Sequence, residues 1–392
     1  MNSRQRIQMA LSHKEPDRVP FDLGATVLTS IHVKAYRNLR EYLGLPPVEP
    51  RIVDIFQQIV VVDDDVRERL KVDVRDVAPR SSATFRVDVK DMGEYVYFYD
   101  EWGIGWKMPK DDGLYYDMFD HPLAKAQTPA DLEGYPWPDP LDPARFVGLR
   151  ERAQHAAEVE GHAVFLGGLC AGIMEMAAWM RGFDNYFADF GSNQELLIAL
   201  MEKAMELKMA YWEKALAEVG DHVDVVGEAD DFAGQFRMLI SPAMYRRVCK
   251  PLHRRLFDFI HARTKAKIFF HSCGSIRPVI PDLIEIGVDV LNPIQVSATG
   301  MDSAELKREF GNDIVFWGGA VDTQHVLGDG TPQEVRDDVR RRIEDLAPGG
   351  GFVFATVHNI QGNVPPQNIM AMWETLQEYG IYAGDTTPQA AE

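Results

Sequence analysis

Cysteine is scarce in this chain: only Cys170, Cys249 and Cys273 occur among 392 residues. An odd number at wide spacing argues against a disulfide framework and for a reducing compartment, so a cytoplasmic location is expected. Positive charge is also short. Lys and Arg total 41 against 60 Asp and Glu, a formal net charge of −19. Sequence-independent binding to nucleic acid needs cations that displace counterions, and docking on anionic lipid needs the same, so neither partner is expected. No stretch approaches the roughly 20 apolar residues that span a bilayer. The opening MNSRQRIQMALSHKEPDRVPF scatters charges where a signal peptide needs an apolar run. Finally, no Gly-x-Gly-x-x-Gly turn follows the first apolar run, which weakens the case for a dinucleotide-binding open sheet.

What is present is ample core material, with 46% hydrophobic residues against 26% charged. Short β-branched and aromatic runs recur: RVPFDLG (18–24), VDVRDVA (72–78), AVFLGGL (163–169), VDVVGEA (223–229), KIFFHSC (267–273), VDVLNPI (288–294), IVFWGG (314–319) and GFVFATV (351–357). Several are almost continuously apolar, as strands covered on both faces in a parallel sheet are. From residue 175 onward the gaps carry apolar residues at three- and four-residue spacing, with Ser241-Pro242 and Thr331-Pro332 as helix starts. Strand and helix alternating through eight units predicts an α/β fold, a (β/α)8 TIM barrel in one domain over 1–392. A doubly wound open sheet is the alternative. Val-Asp-Val at 72–74, 223–225 and 288–290 marks a shared junction between helix and strand. Residues 79–160 break the rhythm: a hairpin-like pattern around Met92-Gly93 and then a proline-rich stretch, too long for a connector. This insertion between strands 2 and 3 is expected to fold over one barrel mouth. Its aromatics Tyr95, Tyr97, Phe98, Tyr99, Trp102 and Trp106 either line a substrate cavity or form a satellite core.

His271 and Cys273 stand two apart at the end of the fifth run, and side chains two apart on a strand share a face. Barrel active sites lie at the carboxyl ends of the strands. Imidazole plus thiolate is a zinc-type pair, and catalytic zinc takes three protein ligands with one position open. His358, just past the eighth run, supplies the third. The competing reading is a buried cysteine acting as a small apolar side chain. Glu228, Asp230 and Asp231 end the fourth run, with Glu228 and Asp230 sharing a face as candidate metal ligands, amine anchors or general bases. A helix cap or solvated loop serves Asp231 as well. After the seventh run come Asp322, a further candidate catalytic carboxylate, with Gln324 and His325, behind Gly318 and Gly319, which suggest a close backbone approach.

The stretches EPDRVPF, MRGFDNYFADF, ISPAMYRRVCKPLHRRL, FFHSCGSIRPVIPDLIEIGVDVLNPIQ, FWGGAVDTQHVL and HNIQGNVPPQN resemble the uroporphyrinogen decarboxylase superfamily nearly end to end. The resemblance implies a (β/α)8 barrel with its site at the carboxyl mouth. It also implies one of two chemistries. The true decarboxylases hold tetrapyrrole carboxylates with an Arg-Gln-Ala-Gly-Arg stretch after the first strand, where this chain reads FDLGATVLTSIHVKAYRNL and lacks the arginine pair. The corrinoid-linked methyltransferases carry His-x-Cys at the positions of His271 and Cys273 and a further cysteine at that of His358. The closer resemblance is to this second branch. It implies zinc as cofactor, a corrinoid (cobalamin) carried by a partner protein, a small-molecule substrate and, by analogy, a homodimer. The expected function is therefore a zinc-dependent methyltransferase moving a methyl group between a small substrate and a corrinoid protein or a thiol. Histidine in place of the third cysteine turns the expectation from thiol acceptors toward methoxylated or methylamine-type donors. Alternatives are a carboxy-lyase of uroporphyrinogen or a related acid, and a non-catalytic binder of tetrapyrroles or corrinoids.

Overall fold

The computed structural model describes residues 1–382. Three short strands, β1 (Ile31–His32), β2 (Ile52–Asp54) and β3 (Ile59–Val60), pair antiparallel in the order β1-β3-β2. The barrel wall begins with β4 (Val74–Val77). Next come the four strands of the insertion, β5 (Lys90–Met92), β6 (Tyr95–Tyr99), β7 (Gly105–Pro109) and β8 (Asp117–Asp120). The wall then continues through β9 (Ala163–Leu166), β10 (Val225–Ala229), β11 (Lys267–His271), β12 (Val290–Asn292), β13 (Val315–Trp317) and β14 (Phe352–Val353). The seven wall strands form one parallel sheet in the order β14-β13-β12-β11-β10-β9-β4. Residues 20–22 run between its two ends. The Phe354 N–H donates to Pro20 O, the Asp22 N–H to Phe354 O and the Asp73 N–H to Phe21 O. All eight apolar runs therefore take their places in a (β/α)8 barrel, with the helices outside. No helix among the described residues is long and apolar enough to cross a membrane.

Alternation along the strands divides the core in two. Val74, Phe165, Val225, Phe269, Val290, Val315, Trp317 and Val353 face inward and pack with one another. Ile7, Ala10 and Leu11 join this inner cluster, so the helix Ser3–Ala10 plugs the barrel's amino end. Its start is fixed by reciprocal bonds between Asn2 and Gln5, a capping box. Residues of the other parity pack against the helical ring. The three Val-Asp-Val junctions do one job. Asp73 accepts the N–H of Phe21 at 2.8 Å, Asp224 that of Val164 at 3.0 Å and Asp289 that of Ile268 at 2.9 Å. Each aspartate thus staples its strand to the strand before it at the amino rim, satisfying a backbone donor at the strand's start.

The insertion forms an antiparallel sheet in the order β5-β6-β7-β8. Its aromatics neither line a substrate cavity nor form a separate core. Phe98, Trp102 and Trp106 are buried, and Trp106 packs on Phe56 and Trp179 at ring-centroid distances of 4.5 and 5.5 Å. None of the six insertion aromatics lines the main cavity. Phe98, Trp102 and Trp106 join the core around the barrel and back Phe56 and Trp179, while Tyr95 and Tyr97 are half-buried and Tyr99 is exposed.

Candidate metal centre and cavity

Strand β11 carries His271 inward, and two residues on Cys273 follows the same parity, past the strand's end. Their Nε2 and Sγ atoms lie 3.4 Å apart. His358 arrives from the segment after β14, its carbonyl accepting the Thr356 hydroxyl at 2.5 Å. The ligand atoms of His271, Cys273 and His358 all lie within 4.8 Å of one another. The sequence-predicted trio is brought together.

Neighbouring groups set its protonation. Asn292, inward-facing at the end of β12, donates its amide N–H to Trp317 O at 2.7 Å, so its oxygen faces the Nδ1 of His271 at 2.6 Å. Nδ1 therefore carries the proton and Nε2 presents a lone pair toward Cys273, the outer-partner arrangement that ligating histidines use. Gly318 makes room for this. A Cβ there would lie 2.9 Å from the Asn292 amide nitrogen, and its φ of +94° suits glycine. The close approach expected of the Gly-Gly pair serves Asn292. Burial, and then the neighbouring His271, lower His358 to about 4, so its imidazole is a free base at neutral pH. Burial pushes the Cys273 thiol well up, and the Asp231 and Glu175 carboxylates add to this. Without a cation the thiol stays protonated. One sulfur and two imidazole nitrogens, with His271 already oriented, fit zinc and leave a coordination position free.

Asp231 is the residue that sequence reasoning undervalued. Its Oδ1 accepts the Cys273 N–H at 2.6 Å and stands 3.8 Å from His271 Nε2. The signal was parity: Val225 faces inward, and so does every second residue from it, through Ala229 to Asp231.

By the same count Glu228 and Asp230 face the helices, where protein partners occupy both carboxylates, although Glu228 also borders the cavity beside the trio. Glu228 Oε1 accepts the Trp212 indole N–H at 2.5 Å, and Oε2 meets Lys208 Nζ at 3.0 Å. Asp230 accepts the N–H groups of Met174 and Glu175 at 2.9 and 2.8 Å, at the start of the helix Ile173–Arg181. Its other oxygen meets His253 Nε2 at 2.7 Å. A carboxylate at a helix N-terminus with this many partners is an anchor, with nothing left for a substrate. Gly172 admits it: a Cβ there would fall 1.9 Å from Ala229 O and 2.0 Å from Asp230 Oδ1. Gly172→Ala is expected to cost ~3 kcal/mol, near the top of the range for overpacking. The check is a lower urea midpoint at unchanged slope. Asp322, the third carboxylate expected in catalysis, caps a turn, its Oδ1 accepting from the N–H groups of Gln324 and His325. Asp322 does not line the cavity beside the trio.

The cavity beside the trio has a volume of about 530 Å³. His271, His358 and Asp231 wall one part, and Phe56, Phe165, Trp179 and Phe269 supply flat apolar surface. A second cavity of about 290 Å³ meets the first at Glu175, Trp179 and Asp231. Burial, with the charges of Asp231 and Asp230, raises the Glu175 carboxyl well above its ordinary value.

Comparison with known proteins follows this geometry. A family model described as "Uroporphyrinogen decarboxylase (URO-D)" matches residues 102–379. A uroporphyrinogen decarboxylase of Alkalilimnicola ehrlichii is 24% identical over 289 residues, which are 71% of this chain and 73% of that one. A methyltransferase from Methanosarcina mazei superposes over 97% of this chain and 99% of its own, with a TM-score of 0.64 at 19% identity. This last likeness is one of fold.

Proposed function

Because this chain belongs to the uroporphyrinogen decarboxylase family, whose barrel serves more than one chemistry, we propose that it is a zinc-dependent methyltransferase. It moves a methyl group between a small substrate and a corrinoid protein or a thiol. The observation that supports this reading is the convergence of His271, Cys273 and His358 within 4.8 Å, with His271 and His358 in the cavity wall. Decarboxylation of a polycarboxylate gives no reason to place a thiol beside these two imidazoles.

The protein's own groups divide the work. His271, Cys273 and His358 would hold the ion, His271 through the Nε2 that Asn292 leaves unprotonated. Zinc, when bound, supplies Lewis acidity toward a thiol or a substrate heteroatom, lowering the cost of negative charge there. The walls formed by Phe56, Phe165, Trp179 and Phe269 exclude water from a displacement at carbon. Glu175, whose carboxyl burial raises above its ordinary value, lies in the same wall, placed to pass a proton to a departing heteroatom.

The test is spectroscopic. Zinc-loaded protein mixed with methylcobalamin and a thiol, or with reduced cobalamin and a methyl ether or methylamine, should exchange the methyl group and change the corrin absorbance. Chelated protein should not. Carbon dioxide released from uroporphyrinogen by the zinc-free protein would establish the carboxy-lyase instead.

A further inference from the structure

Two helices meet at a corner beside the metal cluster, and each turns one face to the second cavity. On the helix Ile173–Arg181, Glu175, Ala178 and Trp179 fall at i, i+3 and i+4. On the helix Phe183–Ser192, Phe183, Tyr186 and Phe187 do the same. All six line the cavity of about 290 Å³. Gly182 makes the corner with a φ of +81°, and a Cβ there would lie 3.2 Å from the His121 ring. His121, from the insertion, donates its Nδ1–H to Trp179 O at 2.6 Å. The fold thus holds this wall in place without help from a ligand.

The wall offers charge of one sign. Its ionisable acids are Glu175 and Asp231, and no Lys or Arg among the described residues forms an ion pair with either. Lys208 reaches Glu175 only through its charge and is itself bonded to Glu228. Glu175 Oε2 accepts the Gly172 N–H at 3.2 Å and Asp231 Oδ1 that of Cys273 at 2.6 Å, while their other oxygens take no hydrogen bond among the described residues. Tyr186 adds a third group without a partner. The residue is 4% exposed, yet its hydroxyl makes no hydrogen bond among the described residues and is not sealed from the cavity it lines. A buried hydroxyl left open in this way points to a ligand. The aromatic rings present faces of negative potential. Phe183 and Phe187 stack at 6.3 Å and stay 45% and 37% exposed at the rim, apolar surface that the fold leaves uncovered.

Such a wall is complementary to a cation that gives up water easily. A bare divalent ion asks for a shell of oxygens that two carboxylates do not fill. A methylated ammonium spreads its charge over apolar methyl groups, and aromatic faces receive those. We propose that this second cavity binds a small methylated ammonium ion, with Glu175 and Asp231 balancing its charge and Trp179, Phe183, Tyr186 and Phe187 enclosing its methyl groups. The bound cation offsets the repulsion that Asp231 and Asp230 exert on the Glu175 carboxylate. In naming this ion as the small methyl-bearing substrate the inference rests on the methyl-transfer reading; its binding rests on the cavity alone.

Choline and neohexyl alcohol, its uncharged isostere with carbon in place of nitrogen, test this by calorimetry without turnover, on zinc-loaded and on chelated protein. Both carry the same hydroxyl and differ in charge. Choline should bind at least about tenfold more tightly than the alcohol in both forms of the protein. Sodium at the same concentration should not displace it. Glu175→Gln should lower choline affinity about tenfold and Phe187→Leu about threefold, each leaving zinc content unchanged and the alcohol's affinity within about twofold. Neohexyl alcohol binding as well as choline overturns the proposal. So does a preference that vanishes on chelation, or a choline affinity that ignores both variants and so belongs elsewhere on the acidic surface. Should Glu175→Gln fail to fold, Phe187→Leu and the ranking of the two probes decide. Missing zinc with the choline preference intact would count against the methyl-transfer reading alone.

Discussion

Cys273→Ser protein purified without chelator is expected to contain almost no zinc, where the wild type should contain about one ion per chain. The thiol is the only soft donor of the trio, and serine's hydroxyl does not ionise to replace it. His358→Ala removes a donor that is already neutral, since its imidazole sits at about 4, and should also empty the site. Asn292→Leu supplies the scale. It removes only the acceptor that orients His271 at 2.6 Å and should weaken zinc by ~10–100-fold. Both ligand variants should lose more than that. The pH dependence has a definite sign. Burial keeps the Cys273 thiol protonated, so the ion must expel that proton, and affinity should rise about tenfold per pH unit between pH 7 and 8.5 with one proton released. Zinc persisting at one per chain in Cys273→Ser would show that the trio is not its site.

The outcome at this site shows where sequence was readable. All eight barrel runs were visible because strands covered on both faces are apolar throughout, and length and spacing then separate them from helices. That same property hid their orientation. In VDVVGEA both parities are buried, Val225 against the lumen and Val226 against the ring, so the pattern does not say which way Glu228, Asp230 and Asp231 point. His271 and Cys273 needed no such knowledge, since a pair two apart shares a face whichever way it points. The insertion's aromatics were ambiguous for a related reason: burial in a satellite sheet and burial in a cavity wall select the same residues.

The residue with the largest expected effect on stability is one that sequence gave no cause to single out. Lys208 lies within the helix Gln194–Val219 with its side chain fully buried. Its Nζ donates to Cys170 O and Ala171 O at 3.1 and 2.9 Å and meets Glu228 at 3.0 Å. Burial works to strip its proton, and the Glu228 carboxylate outweighs that, so the lysine stays charged. Lys208→Met leaves a buried carboxylate whose one remaining partner is the Trp212 N–H, and an uncompensated buried charge costs ~3–5 kcal/mol. The sign with pH follows. Glu228 without its lysine should hold its proton far above the unfolded value of about 4.3. The folded variant then binds more protons than the unfolded chain, and its stability falls as pH rises from there. The deficit against wild type should therefore be larger at pH 8 than at pH 5. Adding Glu228→Gln, which removes the charge and keeps an acceptor for Trp212, should recover most of the loss in a double-mutant cycle. Zinc content should stay at the wild-type level throughout, because neither group touches the ion. Loss of zinc in Lys208→Met protein that still unfolds at the wild-type midpoint would reverse the assignment and return Glu228 to the metal.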